Sequence, residues 1–409
     1  MELSIKKLNQ IKNKIRLDIG KITLVTGYNG IGKSTISKIL YCFLKANSVN
    51  RSEPAIKTVN NEIINLYHKI SRYEPIEYEK HDPYNDDEWF YINQYLEFKE
   101  EFIEGNKKAY DEYYCEDFEL IDQLIKIVSE DGFELHISLL RTLLKRMFNS
   151  TVFEFEAELN NDDEHYSLDL SGKDLYSDDI LEYNKGFVFN NVYYIEQGTL
   201  LDYIDNSGGV YGMDNFEVLS DKLKTDNSGG LFDDEYYKTV KKFEEELVEL
   251  IGGFFEYDRF GKLIFRTVDD VTMDLVNVSN SARSLGVLYL LLHNRQLDKG
   301  DFIIFENIEN NLHPESQLKL ADWLCRCIRD LDIHFYINTF SALFIEAVEV
   351  LSVKYGIEDY TEYVLLDYNC NGEVKSHNYN RHNLVNFYNN LGMAYDTIDS
   401  IRLSNVFDK

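Results

Sequence analysis

The chain has 409 residues, 44% of them apolar and 14% aromatic, and this composition excludes collagen-like and disordered proteins. Its 72 acidic residues outnumber 42 basic ones, and the net charge of −30 disfavours a general affinity for nucleic acid, which comes mainly from Lys and Arg. The first 17 residues lack the apolar core of a signal peptide, and no apolar run approaches the ~20 residues of a membrane span, so we expect a cytoplasmic protein without membrane contact.

The N-terminal segment has the pattern of a short sheet followed by a helix. Residues 3–8 and 15–19 predict two strands, and the nearly continuous apolar run at 21–26 predicts a third, buried one. This strand ends at Gly27, and a stretch that favours a helix extends to about Ala46.

Residues 27–34 fit the phosphate-loop pattern G-x-x-x-x-G-K-[ST] in full, between a predicted strand and a predicted helix. Such a loop turns tightly, so that consecutive backbone N–H groups converge on a phosphate at a helix N-terminus. We expect Lys33 to reach the β- and γ-phosphates and Ser34 to ligate Mg²⁺. The other nucleotide contacts expected in the loop are Asn29, Gly30, Gly32 and Thr35. The chain is therefore predicted to bind a nucleoside triphosphate, or to descend from proteins that did, and we expect the ligands to be ATP and Mg²⁺, although nothing in the sequence reads the base.

The middle of the chain, residues 47–186, differs from its flanks and has the character of an insertion. Residues 74–119 hold 16 acidic and four basic side chains with seven tyrosines. Apolar spacing predicts helices around 118–128 and 139–147, and residues 153–159 alternate apolar side chains with Glu, which indicates an edge-facing strand with a partner at 166–170. We predict a nucleotide-binding head split between residues 1–46 and 187–409, and an acidic, Tyr-rich insertion domain at 47–186 that carries helices and a β-hairpin.

The last part of the chain alternates strands and helices. A strand at 187–195 precedes a helix at 236–251 that Gly252 and Gly253 end, and a hairpin at 254–267 follows. Helices at 285–294 and 315–331 then alternate with strands at 301–305 and 334–338, and a closing strand and helix begin near 360. This alternation predicts an α/β fold with a mixed, largely parallel sheet flanked by helices.

The distance along the chain between Lys33 and the acidic strand end at Glu306 favours one class of phosphate-loop protein. Small-molecule kinases and GTPases place that acidic residue much closer, whereas a split head with a large insertion fits the ABC-type ATPases. The chain has no sustained heptads, which excludes the long coiled coil of the SMC branch.

Three later segments carry a resemblance: residues 279–286 with the apolar VLYLLL run after them, DFIIFENIENNLHPESQ at 301–317, and HFYINTFSALFIEA at 334–347. With the N-terminal 46 residues, they resemble compact bacterial ABC-type ATPases, often labelled AAA, that are related to the ATPase part of OLD-family proteins. The family reads approximately SSGxxSLG, LIIDEPExxLHPxxQ and ILITTHSPxxxEA there. The residues that match as they stand are Glu309, Leu312, His313, Pro314 and Gln317.

The departures from that family alter three hydrolysis elements and one metal ligand, while the phosphate loop is intact. The resemblance implies that Glu306 stands in for the Asp that holds the Mg²⁺-bound water, and that Asn307 replaces the Glu that polarises the attacking water. Phe340 takes the place of the switch His, and Asn280-Ser281 that of the signature Ser-Gly, which caps the γ-phosphate from the partner subunit. Since removing a general base lowers a rate by about 10²–10⁴, we expect weak or lost hydrolysis.

Two positions leave alternatives open. Glu309 is a candidate displaced base, although in the family it accompanies the usual Glu. Gln197 stands where ABC heads place a Gln that contacts Mg²⁺ and water, and an ordinary polar loop residue fits it equally well.

The resemblance implies a homodimer that sandwiches two nucleotides and grips or releases a protein effector, in a bacterial anti-phage setting. The first alternative is an active ATPase in which Glu306 and Glu309 share the metal and base roles. The second is a nucleic-acid-processing enzyme, which the net charge disfavours.

Overall fold

A computed structural model gives the structure of the chain. It describes residues 1–8, 11–48, 90–129, 133–148, 154–161, 164–170, 181–184, 189–196, 235–259 and 261–385, together with isolated positions between 59 and 70, residue 201, most of 219–224, and residues 387 and 388. Within these ranges, no helix combines the length and the apolar character needed to cross a membrane.

The described strands and helices are numbered here in chain order. The strands are β1 (Glu2–Lys6), β2 (Ile15–Asp18), β3 (Ile22–Gly27), β4 (Glu156–Asn161), β5 (Glu164–Asp169), β6 (Leu181–Asn184), β7 (Val192–Ile195), β8 (Gly253–Tyr257), β9 (Leu263–Thr267), β10 (Thr272–Asp274), β11 (Phe302–Glu306), β12 (His334–Asn338), β13 (Thr361–Tyr368) and β14 (Val374–Tyr379). The main helices are α1 (Lys33–Ala46), α2 (Phe90–Gly105), α3 (Cys115–Ser129), α4 (Phe133–Phe148), α5 (Glu235–Ile251), α6 (Asn280–His293), α7 (Pro314–Leu331) and α8 (Ala342–Tyr355).

A mixed, largely parallel sheet forms the centre of the fold, in the order β14-β13-β3-β12-β11-β7. All its neighbouring pairs are parallel except β13 with β14. The segment β11-α7-β12-α8-β13 supplies the strand-helix alternation, and β3 lies between β12 and β13. The predicted α/β fold class is confirmed.

The two faces of this sheet carry different helices. Successive residues of a strand point to opposite faces, and accordingly Leu24 of β3 joins the core that contains α5, α6, α7 and α8. Its neighbour Val25 joins a second core, which contains α1 and the apolar side of α4 around Leu143. The helix after the phosphate loop therefore packs on one face, and the helix that begins at Asn280 packs on the other.

A second, antiparallel sheet has the order β2-β1-β4-β5-β6, so strands of the predicted insertion pair directly with strands of the predicted head. The pattern at residues 153–159 was expected to mark an edge-facing strand, and this is wrong, because β4 lies between β1 and β5. Its alternation has another cause. The apolar side is buried, and on the other side Glu156 pairs with Lys6 and Lys7 at 2.9 and 2.7 Å.

The helices α2 and α3 contribute to a third core, which is distinct from the two cores of the sheet. Its largest buried side chains are Tyr67, Tyr95 and Phe118. By contrast, α4, β4 and β5 pack with the N-terminal strands and α1, and β6 pairs with β5 in the same sheet. The segment 47–186 thus has one part with its own core and another part built into the head, while the predicted boundaries remain a prediction.

The end of the described chain contains a strand that the sequence analysis did not predict. β13 is followed by the antiparallel β14 before any helix begins. Only Val374 and Tyr379 of β14 are buried, as suits an edge strand, and this explains why no apolar periodicity marked it.

Candidate nucleotide-binding site

The loop between β3 and α1 has the backbone of a phosphate-binding loop. Gly27, Gly30 and Gly32 have φ values of 147°, 75° and 112°, which other residues rarely adopt. A Cβ atom at Gly27 would also lie 2.3 Å from the backbone oxygen of Leu366 on β13, so only Gly fits beside that strand. Helix α1 begins at Lys33, and its first N–H groups, which lack intrahelical partners, face the loop as an anion site.

The side chain of Lys33 is buried and turned back onto the loop. Its Nζ atom donates to the backbone oxygens of Gly27 and Tyr28 at 2.8 and 2.9 Å. The ring of Phe340 covers it, with the centroid 4.0 Å from Nζ. Burial lowers the pKa of Lys33 to about 8, against the opposing effect of the Glu306 carboxylate. The ammonium therefore stands at the centre of the loop in a place where water solvates it poorly.

The carboxylate of Glu306, at the end of β11, is held by donors from three other elements. Its Oε1 atom accepts from Ser37 at 2.5 Å, Asn338 at 2.8 Å and Tyr194 at 3.2 Å. Its Oε2 atom accepts from Ser34 at 2.8 Å. Glu is one methylene longer than Asp, and these contacts fix the longer side chain against the start of α1.

This arrangement fits a Mg²⁺ site. An ionised carboxylate offers about four lone-pair positions, and three of the four donors use Oε1, so Oε2 retains capacity beside the Ser34 hydroxyl. A hydroxyl and a carboxylate oxygen are hard ligands of the kind that Mg²⁺ prefers. Ser34 and Glu306 would hold the ion, which would neutralise phosphate charge.

Two acceptor oxygens that follow β11 are buried without a hydrogen-bond donor among the described residues. They are Oδ1 of Asn307 and Oε2 of Glu309. Asn307 has a φ of 56°, a left-handed conformation that Asn tolerates better than most residues. Glu309 is 2% exposed, and burial raises the pKa of its carboxyl group.

Glu309 connects the end of β11 to the segment after β12. Its Oε1 atom accepts from the Thr339 hydroxyl at 2.5 Å and from the Phe340 N–H at 3.3 Å. The Thr339 N–H in turn donates to the Val25 oxygen of β3 at 2.9 Å. Through these bonds, Glu309 positions the residue whose ring covers Lys33.

Of the residues predicted from sequence, the structure brings one group together. The loop residues from Asn29 to Thr35 lie beside Glu306 and Phe340, and Asn307 and Glu309 follow in the same chain segment. Asn280 and Ser281 are not part of this group, because they begin α6 on the other face of the sheet. Gln197 lies outside the described residues.

Sequence reasoning missed the three side chains that bind Oε1 of Glu306. Ser37 follows Ser34 by three positions on α1, a spacing that places both hydroxyls on one side of a helix, and this could have been noticed. Tyr194 and Asn338 come from β7 and β12, and only the strand order brings them beside β11.

No protein-family model matches the chain, and no curated protein matches it. Among solved structures, the chain is similar to the SMC head domain from Thermotoga maritima, at 11% identity over 92% of this chain and 97% of that one, with a TM-score of 0.40. It is also similar to an SMC head bound to the C-winged helix domain of ScpA, at 12% identity over 93% and 97% of the two chains, with a TM-score of 0.41. A third similar structure is an Smc head domain with an extended coiled coil bound to the C-terminal domain of ScpA derived from Pyrococcus furiosus, at 9% identity over 98% of each chain, with a TM-score of 0.36. Because these identities and TM-scores are low, the similarities carry no argument about function. The functional assignment rests on the geometry of the site.

Proposed function

We propose that the protein is an ABC-type, ATP-binding switch that holds ATP and Mg²⁺ and hydrolyses ATP slowly or not at all. One observation carries this proposal: the phosphate loop is complete, with Lys33 at its centre and Ser34 bonded to Glu306, while the next residue is Asn307. Binding requires the loop, the lysine and the metal ligands, whereas hydrolysis also requires a base.

The chemistry of the residues after β11 supports slow turnover. An amide does not accept a proton at neutral pH, so Asn307 cannot activate water as a carboxylate does. Phe340 offers no hydrogen bond to a γ-phosphate from the place where it covers Lys33. Phosphate binding would remain while the chemical step loses about 10²–10⁴ in rate.

The placement of α6 supports a dimer in which each subunit completes the other's site. Asn280 is exposed at the start of α6, where Ser279 caps the helix and Arg283 donates to the Asn280 side chain. Because α6 and α1 pack on opposite faces of the sheet, Asn280 and Ser281 would serve the partner's nucleotide. Closure of the two heads would then move the segment 47–186 and grip or release a protein effector.

The finer family assignment rests on the sequence resemblance to ATPases related to OLD-family proteins. That resemblance includes Glu309, whose carboxylate holds Phe340 beside Lys33. Within this assignment, the switch would act in a bacterial anti-phage response. Survival of phage-challenged cells that carry wild-type protein or Lys33→Ala tests this role, and equal survival of both would contradict it.

The molar mass in solution, with and without Mg²⁺–ATP, tests the switch. Light scattering coupled to size exclusion should show a nucleotide-dependent dimer for the wild type and a monomer for Lys33→Ala. Phosphate release measured on the same samples should be slow. The proposal would be contradicted by a molar mass that does not change when Mg²⁺–ATP is added. Rapid ATP turnover that Lys33→Ala abolishes would also contradict it.

Rapid turnover would favour the second candidate, an active ATPase of the same class. Its supporting observation is Oε2 of Glu309, a carboxylate oxygen that is buried without a hydrogen-bond donor among the described residues. Burial raises the pKa of this carboxyl group, which makes it a stronger base than an exposed carboxylate. In that case Glu309→Gln should abolish phosphate release while ATP still binds.

A further inference from the structure

Two exposed tyrosine rings stand at the rim of the phosphate loop. Tyr28 is the second residue of the loop, and Tyr368 is the last residue of β13. Their rings stack with centroids 6.0 Å apart and planes inclined by 28°. The side chains are 54% and 39% exposed, so both rings are accessible to a ligand at the rim of the loop.

The register of the sheet explains why the two rings meet. Leu366 of β13 pairs with Gly27 of β3, so β13 continues for two residues beside the phosphate loop and places Tyr368 next to Tyr28. The backbone oxygen of Tyr28 accepts from Lys33 Nζ at 2.9 Å. The ring of Tyr28 therefore leaves the backbone at the edge of the phosphate site itself.

The strand order determines which end of a nucleotide would reach this pair. β3 lies between β12 and β13. Glu306 ends β11 and Phe340 follows β12, both on one side of the loop, and under the proposed function they stand at the γ-phosphate end of the site. A polyphosphate that runs across the loop from that side directs its nucleoside toward β13, where Tyr28 and Tyr368 stand.

We propose that Tyr28 and Tyr368 form the platform on which the base of the bound nucleotide stacks. This inference rests on the proposed function, because it requires that the loop holds a nucleoside triphosphate. Aromatic rings bind nucleobases through their faces, and every base has such a face. The platform therefore favours nucleotides over base-free polyphosphate, with little discrimination between adenine and guanine.

Titration calorimetry with Mg²⁺ complexes of ATP, GTP and inorganic tripolyphosphate tests the platform. The wild type should bind ATP and GTP with similar affinity. Tyr368→Ala, which lies outside the loop, should weaken ATP binding about ten-fold while leaving tripolyphosphate binding unchanged, and Tyr28→Ala should weaken ATP binding about ten-fold more than tripolyphosphate binding. Tyr28→Phe should retain wild-type affinity. Tyr360→Ala is a matched control, since Tyr360 is 53% exposed just before the opposite end of β13.

The outcomes separate the platform from the underlying function. If the wild type binds tripolyphosphate and ATP, but the alanine variants bind ATP as the wild type does, the platform is wrong and the phosphate site stands. If Tyr28→Ala weakens the binding of ATP and of tripolyphosphate equally, Tyr28 stabilises the loop itself, and the platform is also wrong. If the alanine variants bind ATP with wild-type affinity but no longer form the nucleotide-dependent dimer, the two tyrosines belong to a subunit contact and the platform is wrong. A wild type that binds none of the three ligands would overturn the proposed function, and the platform with it.

Discussion

The ring of Phe340 lies over the ammonium group of Lys33, with 4.0 Å between Nζ and the ring centroid. The contact joins the first residue of α1 to the segment after β12, and Glu309 fixes that segment through the Phe340 N–H. A cation over an aromatic face is attracted by about 0.5–2 kcal/mol. At the same place the ring excludes water, so it influences both the position and the proton affinity of the lysine.

Nucleotide affinity should fall as the pH rises through about 8. Burial lowers the pKa of Lys33 to that value, so above it the free protein loses the charge that attracts phosphate. The triphosphate keeps its charge over this range, because the second pKa of a phosphate group is about 6. Binding curves measured between pH 7 and 10 should show a loss of up to about ten-fold per pH unit. The residual affinity of Lys33→Ala should change little over the same range, and a parallel decline in that variant would contradict the assignment.

Replacing Phe340 should move that pH dependence to higher values. In Phe340→Ala water reaches the ammonium, and hydration of a cation outweighs the attraction of the ring face. The pKa of Lys33 should then rise from about 8 toward its usual 10.5. Phe340→Leu is the matched control, since it keeps an apolar cover without the ring. An unchanged pH midpoint in Phe340→Ala would show that other groups bury Lys33.

Introducing a base at position 307 should raise phosphate release. Asn307→Glu supplies the carboxylate at the end of β11, and we expect a gain of about 10²-fold, at the low end of the effect of a general base. The left-handed backbone at Asn307 should make this variant about 1 kcal/mol less stable. Asn307→Gln carries the same strain without the carboxylate, so it should lose stability and gain no activity. Equal phosphate release by both variants would contradict the role of this position.

The acceptor function of Glu309 can be separated from its charge. Glu309→Ala removes the acceptor for Thr339 and Phe340 and should lower the free energy of unfolding by about 1–3 kcal/mol. Glu309→Gln keeps an acceptor oxygen and should stay closer to the wild type in urea unfolding.

A pH series of the same unfolding experiment tests the burial of Glu309. Burial raises the pKa of this carboxyl group above 4.5, so the folded state binds more protons than the unfolded state just above that pH. Wild-type stability should therefore decline relative to Glu309→Gln as the pH rises above 4.5. A stability difference that is constant between pH 4 and 7 would contradict this.

The parts of the site that local patterns encode could be predicted from sequence. The phosphate loop is contiguous in the chain, and the apolar run of β11 identifies Glu306 as a strand-end carboxylate, so both lie where the sequence placed them. The binding of Oε1 of Glu306 could not be predicted, because its donors Ser37, Tyr194 and Asn338 come from three elements far apart in the chain.

The strand order was the main missing information. Glu residues at alternate positions indicate that one face of a strand is exposed, and this is true of edge strands and of central strands alike. Only the pairing of β4 with β1 and β5 shows that β4 is a central strand. Likewise, Tyr28 and Tyr368 are far apart in sequence and meet because Leu366 pairs with Gly27. Register depends on long-range packing, which one sequence does not reveal.

Equilibrium dialysis against Mg²⁺–ATP tests the central claim most directly, because it counts bound nucleotide without regard to heat or turnover. The geometry of Lys33, Ser34 and Glu306 predicts one ATP per chain for the wild type. Lys33→Ala should bind ATP at least about ten-fold more weakly, since a charged partner of the phosphates is lost. No retained nucleotide in the wild type, or the same retention in Lys33→Ala, would contradict the account.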